Sequence, residues 1–162
     1  MTLDVDIQKD PAARTLTVAT RLDAPVERVW QLLADARQLE RWWGPPTHPA
    51  TFVDHELTPG AISSYFMTSP EGVKHPGWWR ILTVEAPYLL EHEDGFSDDS
   101  GQPDLTMPTC VMRCTLVAEG SGTVLTIVTT YPTTEAMERM VGMGMIEGLV
   151  QALGQIPAVL AG

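Results

Sequence analysis

The 162-residue chain carries 10 Lys and Arg against 21 Asp and Glu, for a net charge of −11, and is 44% apolar and 19% charged. That length fits one domain (1–162, core about 14–160) by the rule of ~150 residues each, and the apolar fraction excludes a disordered chain. Without clustered Lys and Arg, neither nucleic acid nor an anionic membrane surface is an expected partner. No apolar run approaches the ~20 residues of a membrane span, so no membrane insertion is expected. The opening MTLDVDIQKD has neither the cationic nor the apolar region of a secretory leader, and the expected location is the cytoplasm.

In chain order, Arg14 to Leu22 alternate and are rich in Thr and Val, which predicts a first strand. Asp23-Ala24-Pro25 starts a helix, with Pro25 in the first turn and Glu27 at the positive end. Val26, Val29, Trp30 and Leu33 then form one apolar helix face, and Leu39, Trp42 and Trp43 repeat the spacing in a second short helix closed by Gly44-Pro45-Pro46. Five strands are predicted next, over Thr51–Leu57, Ala61–Thr68, Trp78–Glu85, Leu89–Phe96 and Thr109–Ala118. Gly120-Ser121-Gly122 turns the chain into a further strand, Thr123–Tyr131, and Ser97–Pro108 is the longest loop. Strands that follow one another without crossover helices predict an α+β fold with an antiparallel sheet.

After Pro132 the pattern predicts one helix to Leu160, about 27 residues and roughly 40 Å long. Its stripe reads Met137, Val141, Met145, Leu149, Ala152 and Ile156. Gly142, Gly144, Gly148 and Gly154 each weaken a helix by ~1 kcal/mol relative to Ala, so close approach of a neighbour is the expected reason for them. Cys110 and Cys114 lie four strand steps apart, roughly 13 Å, too far to bridge and consistent with a reducing compartment.

This β–α–α–β₆–α order resembles the START-like helix-grip fold, also called Bet v 1-like, of the SRPBCC superfamily. Ala24-Pro25-Val26-Glu27-Arg28-Val29-Trp30 looks like the family's first helix, and Leu39-Glu40-Arg41-Trp42-Trp43-Gly44-Pro45 like its Trp-Gly-Pro segment. Pro59-Gly60, Pro70-Glu71-Gly72 and Gly122-Thr123-Val124-Leu125-Thr126 extend the match to homologues of the heat-shock protein 90 ATPase activator. Ala61, Ser63 and Gly144-Met145 depart from that branch, which often carries Trp at the position of Met145. The resemblance implies about seven antiparallel strands curved around a long C-terminal helix, with a cavity between them. It implies binding of a hydrophobic small molecule. A cyclase- or hydrolase-like enzyme is the second reading and a protein-interaction module, as in chaperone regulation, the third.

Strand alternation aligned to the family pattern places Ser63, Tyr65 and Met67 inward, with Trp79 and Ile81. Leu90, His92, Asp94 and Phe96, and Leu125, Ile127 and Thr129, complete the inward set. The expected ligand-binding residues are Trp43, Tyr65, Met67, Trp79, Ile81, Leu90, His92, Phe96, Met112, Ile127, Met137, Val141, Met145 and Leu149. His92 and Asp94, about 6.6 Å apart along one strand face, are the catalytic candidates: an imidazole beside a carboxylate serves as an oriented general base, or simply as a hydrogen-bonded pair. His55 with His92 and Asp94 has the composition of a two-His, one-carboxylate set, but no spacing demands it, and neither metal nor cofactor is expected. Met137, Met140, Met143 and Met145 crowd two turns of the last helix, as suits a plastic apolar pocket or an irregular core.

Overall fold

The computed structural model describes residues 3–162, so Met1 and Thr2 of the opening segment lie outside the described residues. Strands β1 (Val5–Asp10) and β2 (Thr15–Leu22) form a hairpin, followed by helices α1 (Val26–Ala34) and α2 (Ala36–Leu39). Six strands come next: β3 (Ala50–Asp54), β4 (Ile62–Thr68), β5 (Lys74–Glu85), β6 (Leu89–Phe96), β7 (Cys110–Glu119) and β8 (Gly122–Thr130). Helices α3 (Thr134–Gly142), α4 (Met145–Leu153) and α5 (Ile156–Ala161) end the chain. All eight strands make one antiparallel sheet in the order β1-β2-β8-β7-β6-β5-β4-β3. The fold is the α+β helix grip, with helices held against one face of the sheet.

Alternation explains which face is buried. Leu16, Val18, Thr20 and Leu22 of β2 are buried, as are Cys110, Met112, Cys114 and Leu116 of β7 and Thr123, Leu125, Ile127 and Thr129 of β8. Register carries this across the sheet, because directly opposed residues share a face: Met112 faces Thr129, and His92 faces Met112. Helix α1 lays Val26, Val29, Trp30 and Leu33 onto β7 and β8. The Asp35 carboxylate caps α2 by accepting from the Arg37 amide at 2.9 Å.

Four details differ from the sequence reading. The sheet has eight strands rather than about seven: β1 adds an edge strand, before and along which Leu3, Val5 and Ile7 alternate with Asp4, Asp6 and Gln8, although only its first residue is half-buried. Strand β5 begins at Lys74 rather than Trp78, and β3 stops at Asp54, short of Leu57. Helix α2 ends at Leu39, and Trp42 and Trp43 sit in the turn that follows, each amide donating to the Leu39 carbonyl, at 3.2 and 2.9 Å. The long C-terminal helix is three helices, with α3 bent 62° from the segment Met145–Ala161.

The break falls at Gly144, whose φ of +91° lies in the left-handed region that L side chains avoid. The C-terminal glycines therefore do not mark close approach of a neighbour. A Cβ added at Gly142 or Gly148 meets nothing within 4 Å, and one at Gly154 meets only carbonyls of its own helix turn. Beyond the break the segment is tied down by polar contacts as well as by Ile156 and Val159 in the core. The Gln155 amide donates to the Gly44 carbonyl at 2.6 Å, and the Arg28 guanidinium donates to the Val159 carbonyl at 3.1 Å.

Gly144→Ala should accordingly destabilise the fold by about 1–2 kcal/mol in chemical denaturation, the cost of a left-handed L residue. Gly142→Ala, with open space and no positive φ, should be neutral or stabilising by up to about 1 kcal/mol. Equal losses in both variants would show that the bend does not depend on Gly144.

Candidate functional site

Between the helices and the sheet lies a cavity of about 290 Å³. Five methionines line it: Met67 from β4, Met112 from β7, Met140 from α3, Met143 at the bend and Met145 from α4. Trp43, Pro45, Tyr65, Phe96, Gly144, Gly148 and Leu149 complete the apolar wall, and Asp94 is its one carboxylate. Met143 is 54% exposed, which puts the mouth of the cavity at the α3–α4 bend.

Of the sequence-predicted residues, Trp43, Tyr65, Met67, Phe96, Met112, Met145 and Leu149 lie on this wall, as does Asp94. Trp79, Ile81, Leu90, His92, Ile127 and Met137 do not. They are buried in the core, each at most 2% exposed, and half-buried Val141 also stands off the wall. Alternation gives the face on which a side chain lies but not how deep it sits, and the cavity occupies only the part of that face below the bend. Pro45, Met140, Met143, Gly144 and Gly148 were missing from the predicted set. The break explains the last four: a continuous stripe through Met137 and Val141 points elsewhere once α3 swings away at Gly144. The crowded methionines and the Gly142-Met143-Gly144 run were the available signals.

Beneath the cavity is an aromatic nest. The Trp79 and His92 rings stack at 3.8 Å with an interplanar angle of 16°, and Trp43 meets Trp79 edge-on at 4.8 Å. Phe52 stacks on Tyr65 at 4.9 Å. His92 is fully buried, and neither ring nitrogen has a hydrogen-bond partner. Burial therefore drives its pKa down to about 3, with the nearby Glu93 backbone opposing the shift and His55 adding to it. His55 is engaged separately: Nε2–H donates to the Leu33 carbonyl at 2.7 Å, leaving Nδ1 to accept from the Ser63 hydroxyl at 2.8 Å.

The expected His92–Asp94 dyad is thus not formed. Both side chains point inward, but His92 stacks in the core and Asp94 takes its hydrogen bond from the Tyr65 hydroxyl, at 3.1 Å. Nor do His55, His92 and Asp94 make a metal set: among the described residues no three His, Cys, Asp or Glu side chains are placed to hold a metal ion.

Asp94 is half-buried and lines the cavity. Its depth raises its pKa to about 7, against the opposing pull of the Tyr65 hydroxyl and the Gly95 backbone. Tyr65 is in turn pushed well above its ordinary range, by burial first and by the Asp94 charge second. The phenol's position depends on Gly77, directly opposite it in β5, where an added Cβ would come within 2.7 Å of the Tyr65 ring and hydroxyl.

Asp94 and His92 act on stability with opposite sign. The Asp94 carboxyl titrates higher in the folded chain than in the unfolded one, so its contribution weakens as pH rises from about 4 to about 7. His92 titrates lower when folded, so the fold loses stability as pH falls from about 6.5 towards 3. Thermal melts should show Asp94→Asn more stable than wild type above pH 7 and level with it near pH 4. An imidazole signal of His92 that is protonated at pH 5, or an Asn variant with no pH-dependent gain, would contradict this assignment.

Residues 23–161 match the family model described as Activator of Hsp90 ATPase homolog 1-like protein. A crystal structure of a Mycobacterium smegmatis protein is 44% identical, with 97% of each chain covered and a TM-score of 0.89. A solution structure of an Arthrobacter aurescens protein is also 44% identical, covering 96% of this chain and 91% of that one at a TM-score of 0.93. A protein of the dynemicin biosynthetic locus shares the fold at 20% identity and a TM-score of 0.63, covering 91% of this chain and 47% of its own. No curated protein matches the sequence. Membership follows from the family match over most of the chain together with the helix-grip architecture: this chain belongs to the family of Activator of Hsp90 ATPase homolog 1-like proteins.

Proposed function

We propose that the chain is a binding domain for a small hydrophobic molecule, held between α4 and the sheet. The observation that carries this reading is the cavity itself, about 290 Å³ and walled almost entirely by methionine, aromatic and aliphatic groups. That volume lies near the lower end of the ~300–1,000 Å³ usual for ligand sites and suits a compact guest. Methionine side chains are unbranched and polarizable, so the wall can adapt to guests of different shape. A general-base enzyme is less well supported, since His92 has no partner and no access to the cavity. A chaperone-regulating role rests on the name of the family. The large exposed apolar side chains Ile7, Val53, Ile62, Val73, Leu82, Tyr88, Leu105, Val117 and Met143 are spread over β1, β3, β4, β5, β7, three connecting loops and the α3–α4 bend. Among the described residues no single helix is long and apolar enough to cross a membrane, and the unpaired, buried Cys110 and Cys114 suit a cytoplasmic setting.

Met145 tests the reading. It lines the cavity, and its sulfur accepts a hydrogen bond from the Tyr131 hydroxyl at 2.8 Å. Met145→Trp should place an indole in the empty volume. Calorimetric titration with 3-phenylpropan-1-ol should then show at least about tenfold weaker binding than wild type, while the melting temperature holds or rises. A loss of about 1–3 kcal/mol in stability, with no binding to either protein, would mean that the position is packed core and the reading fails.

A further inference from the structure

The cavity has an electrostatic asymmetry that its apolar character conceals. Asp94 is a carboxyl on the wall with no cation beside it: no Lys, Arg or His lines the cavity. The titratable groups facing it are Tyr65 from β4 and Cys110, its directly opposed partner on β7; α3 and α4 contribute only methionines, glycines and Leu149. Both neighbours are acids, and burial holds both above their ordinary ranges. A carboxylate half withdrawn from water is stabilised by pairing, so this site favours a proton or a cationic ligand group.

The hydrogen bonds around it favour a ligand that donates. The Tyr65 hydroxyl donates to one Asp94 oxygen. The Trp43 indole N–H is buried without a hydrogen-bond partner, and its ring lies on the same wall. The Tyr65 hydroxyl thus leaves the carboxylate as an acceptor. The rings of Trp43, Tyr65 and Phe96 and five methionine side chains line the same cavity. Aromatic rings attract a desolvated ammonium group through their quadrupole. The chain's net charge of −11 draws cations towards the mouth and repels anions.

We propose that the cavity selects a small lipophilic amine, its ammonium group held at the Asp94 carboxylate beside Trp43 and Tyr65 and its apolar body among the methionines. This rests on the cavity being a binding site. At about 30 Å³ for each water-sized group, the volume of about 290 Å³ holds a guest with on the order of ten non-hydrogen atoms. Fatty acids and other carboxylates are excluded, because their charge would meet Asp94 with no cation to offset it.

The test is a matched series of 3-phenylpropylamine, 3-phenylpropan-1-ol and 3-phenylpropanoate, titrated calorimetrically into the intact chain. The amine should bind about tenfold or more tightly than the alcohol at pH 8, the size of one desolvated cation–π contact, and the carboxylate more weakly than either. Because Asp94 ionises near pH 7, amine affinity should rise about tenfold between pH 6 and pH 8 while alcohol affinity stays flat. Asp94→Asn should erase both the amine preference, read as the ratio of amine to alcohol affinity in the same variant, and its pH dependence. Alcohol binding as tight as the amine in the unmodified protein overturns the proposal while leaving the cavity a binding site. Failure of all three compounds to bind overturns both readings. The pH series on wild type decides the matter even if the Asn variant does not fold.

Discussion

A left-handed backbone turn at Gly144 divides the C-terminal helical segment, and the helix-side wall of the cavity is assembled around it. A straight helix would carry Met137, Val141, Met145 and Leu149 along one line against the sheet, as a packed seam. The 62° bend instead sets α3, with Met137 in the core and Met140 on the cavity wall, at an angle to α4, whose Met145 and Leu149 line the same cavity. Beyond the bend, Gln155 and Arg28 fix the helix to the Trp42–Gly44 turn and to α1. The helix is therefore anchored on one side of the opening, and on the other α3 is capped by the Thr133 hydroxyl. The cavity is a product of where the chain is held and where it is allowed to turn.

The polar groups under this roof have unequal roles because their surroundings differ. His92 lies flat on Trp79 with both nitrogens unpartnered, so its neutral ring serves as an aromatic plate in the core. Charging it would require burying a cation among indole rings with no acceptor at either nitrogen. Asp94, two residues further along β6, reaches the cavity edge and meets a hydroxyl. Two residues on the same strand face thus end as packing element and polar anchor. The difference is made by Trp79 above one and Tyr65 beside the other, and by Gly77 leaving room for the phenol.

Family membership fixes the architecture without fixing the guest. The helix grip leaves a space between sheet and helix, and the residues that line it decide what enters. Here the α4 side of the wall is Met145 and Leu149, and the adjacent glycines contribute no side chain at all. The wall is consequently soft, and its polarity is concentrated at one acid, which suits a compact apolar guest with a single polar head.

Much of this was legible in the chain itself. Period-two alternation in β2, β4, β6, β7 and β8 marked the buried face, and the 3.6-residue spacing of Val26, Val29, Trp30 and Leu33 marked α1. Motif order indicated the helix grip. Strand β1 is the short edge of the sheet: Leu3, Val5 and Ile7 alternate with polar residues over too few positions to mark it firmly, and Lys9 and Asp10 break the pattern. The second short helix was overread because apolar spacing continues through Trp42 and Trp43 after the helical backbone has ended at Leu39. The C-terminal segment was read as one helix because the composition of Gly142-Met143-Gly144 shows a weakness but not a direction of bend. Only the tertiary structure decided that direction, and with it which side chains face the cavity. It also decided that Asp94 pairs with Tyr65 rather than with His92. Alternation is local, whereas depth and pairing are set by neighbours distant in sequence, such as Trp79 over His92 and Tyr65 beside Asp94.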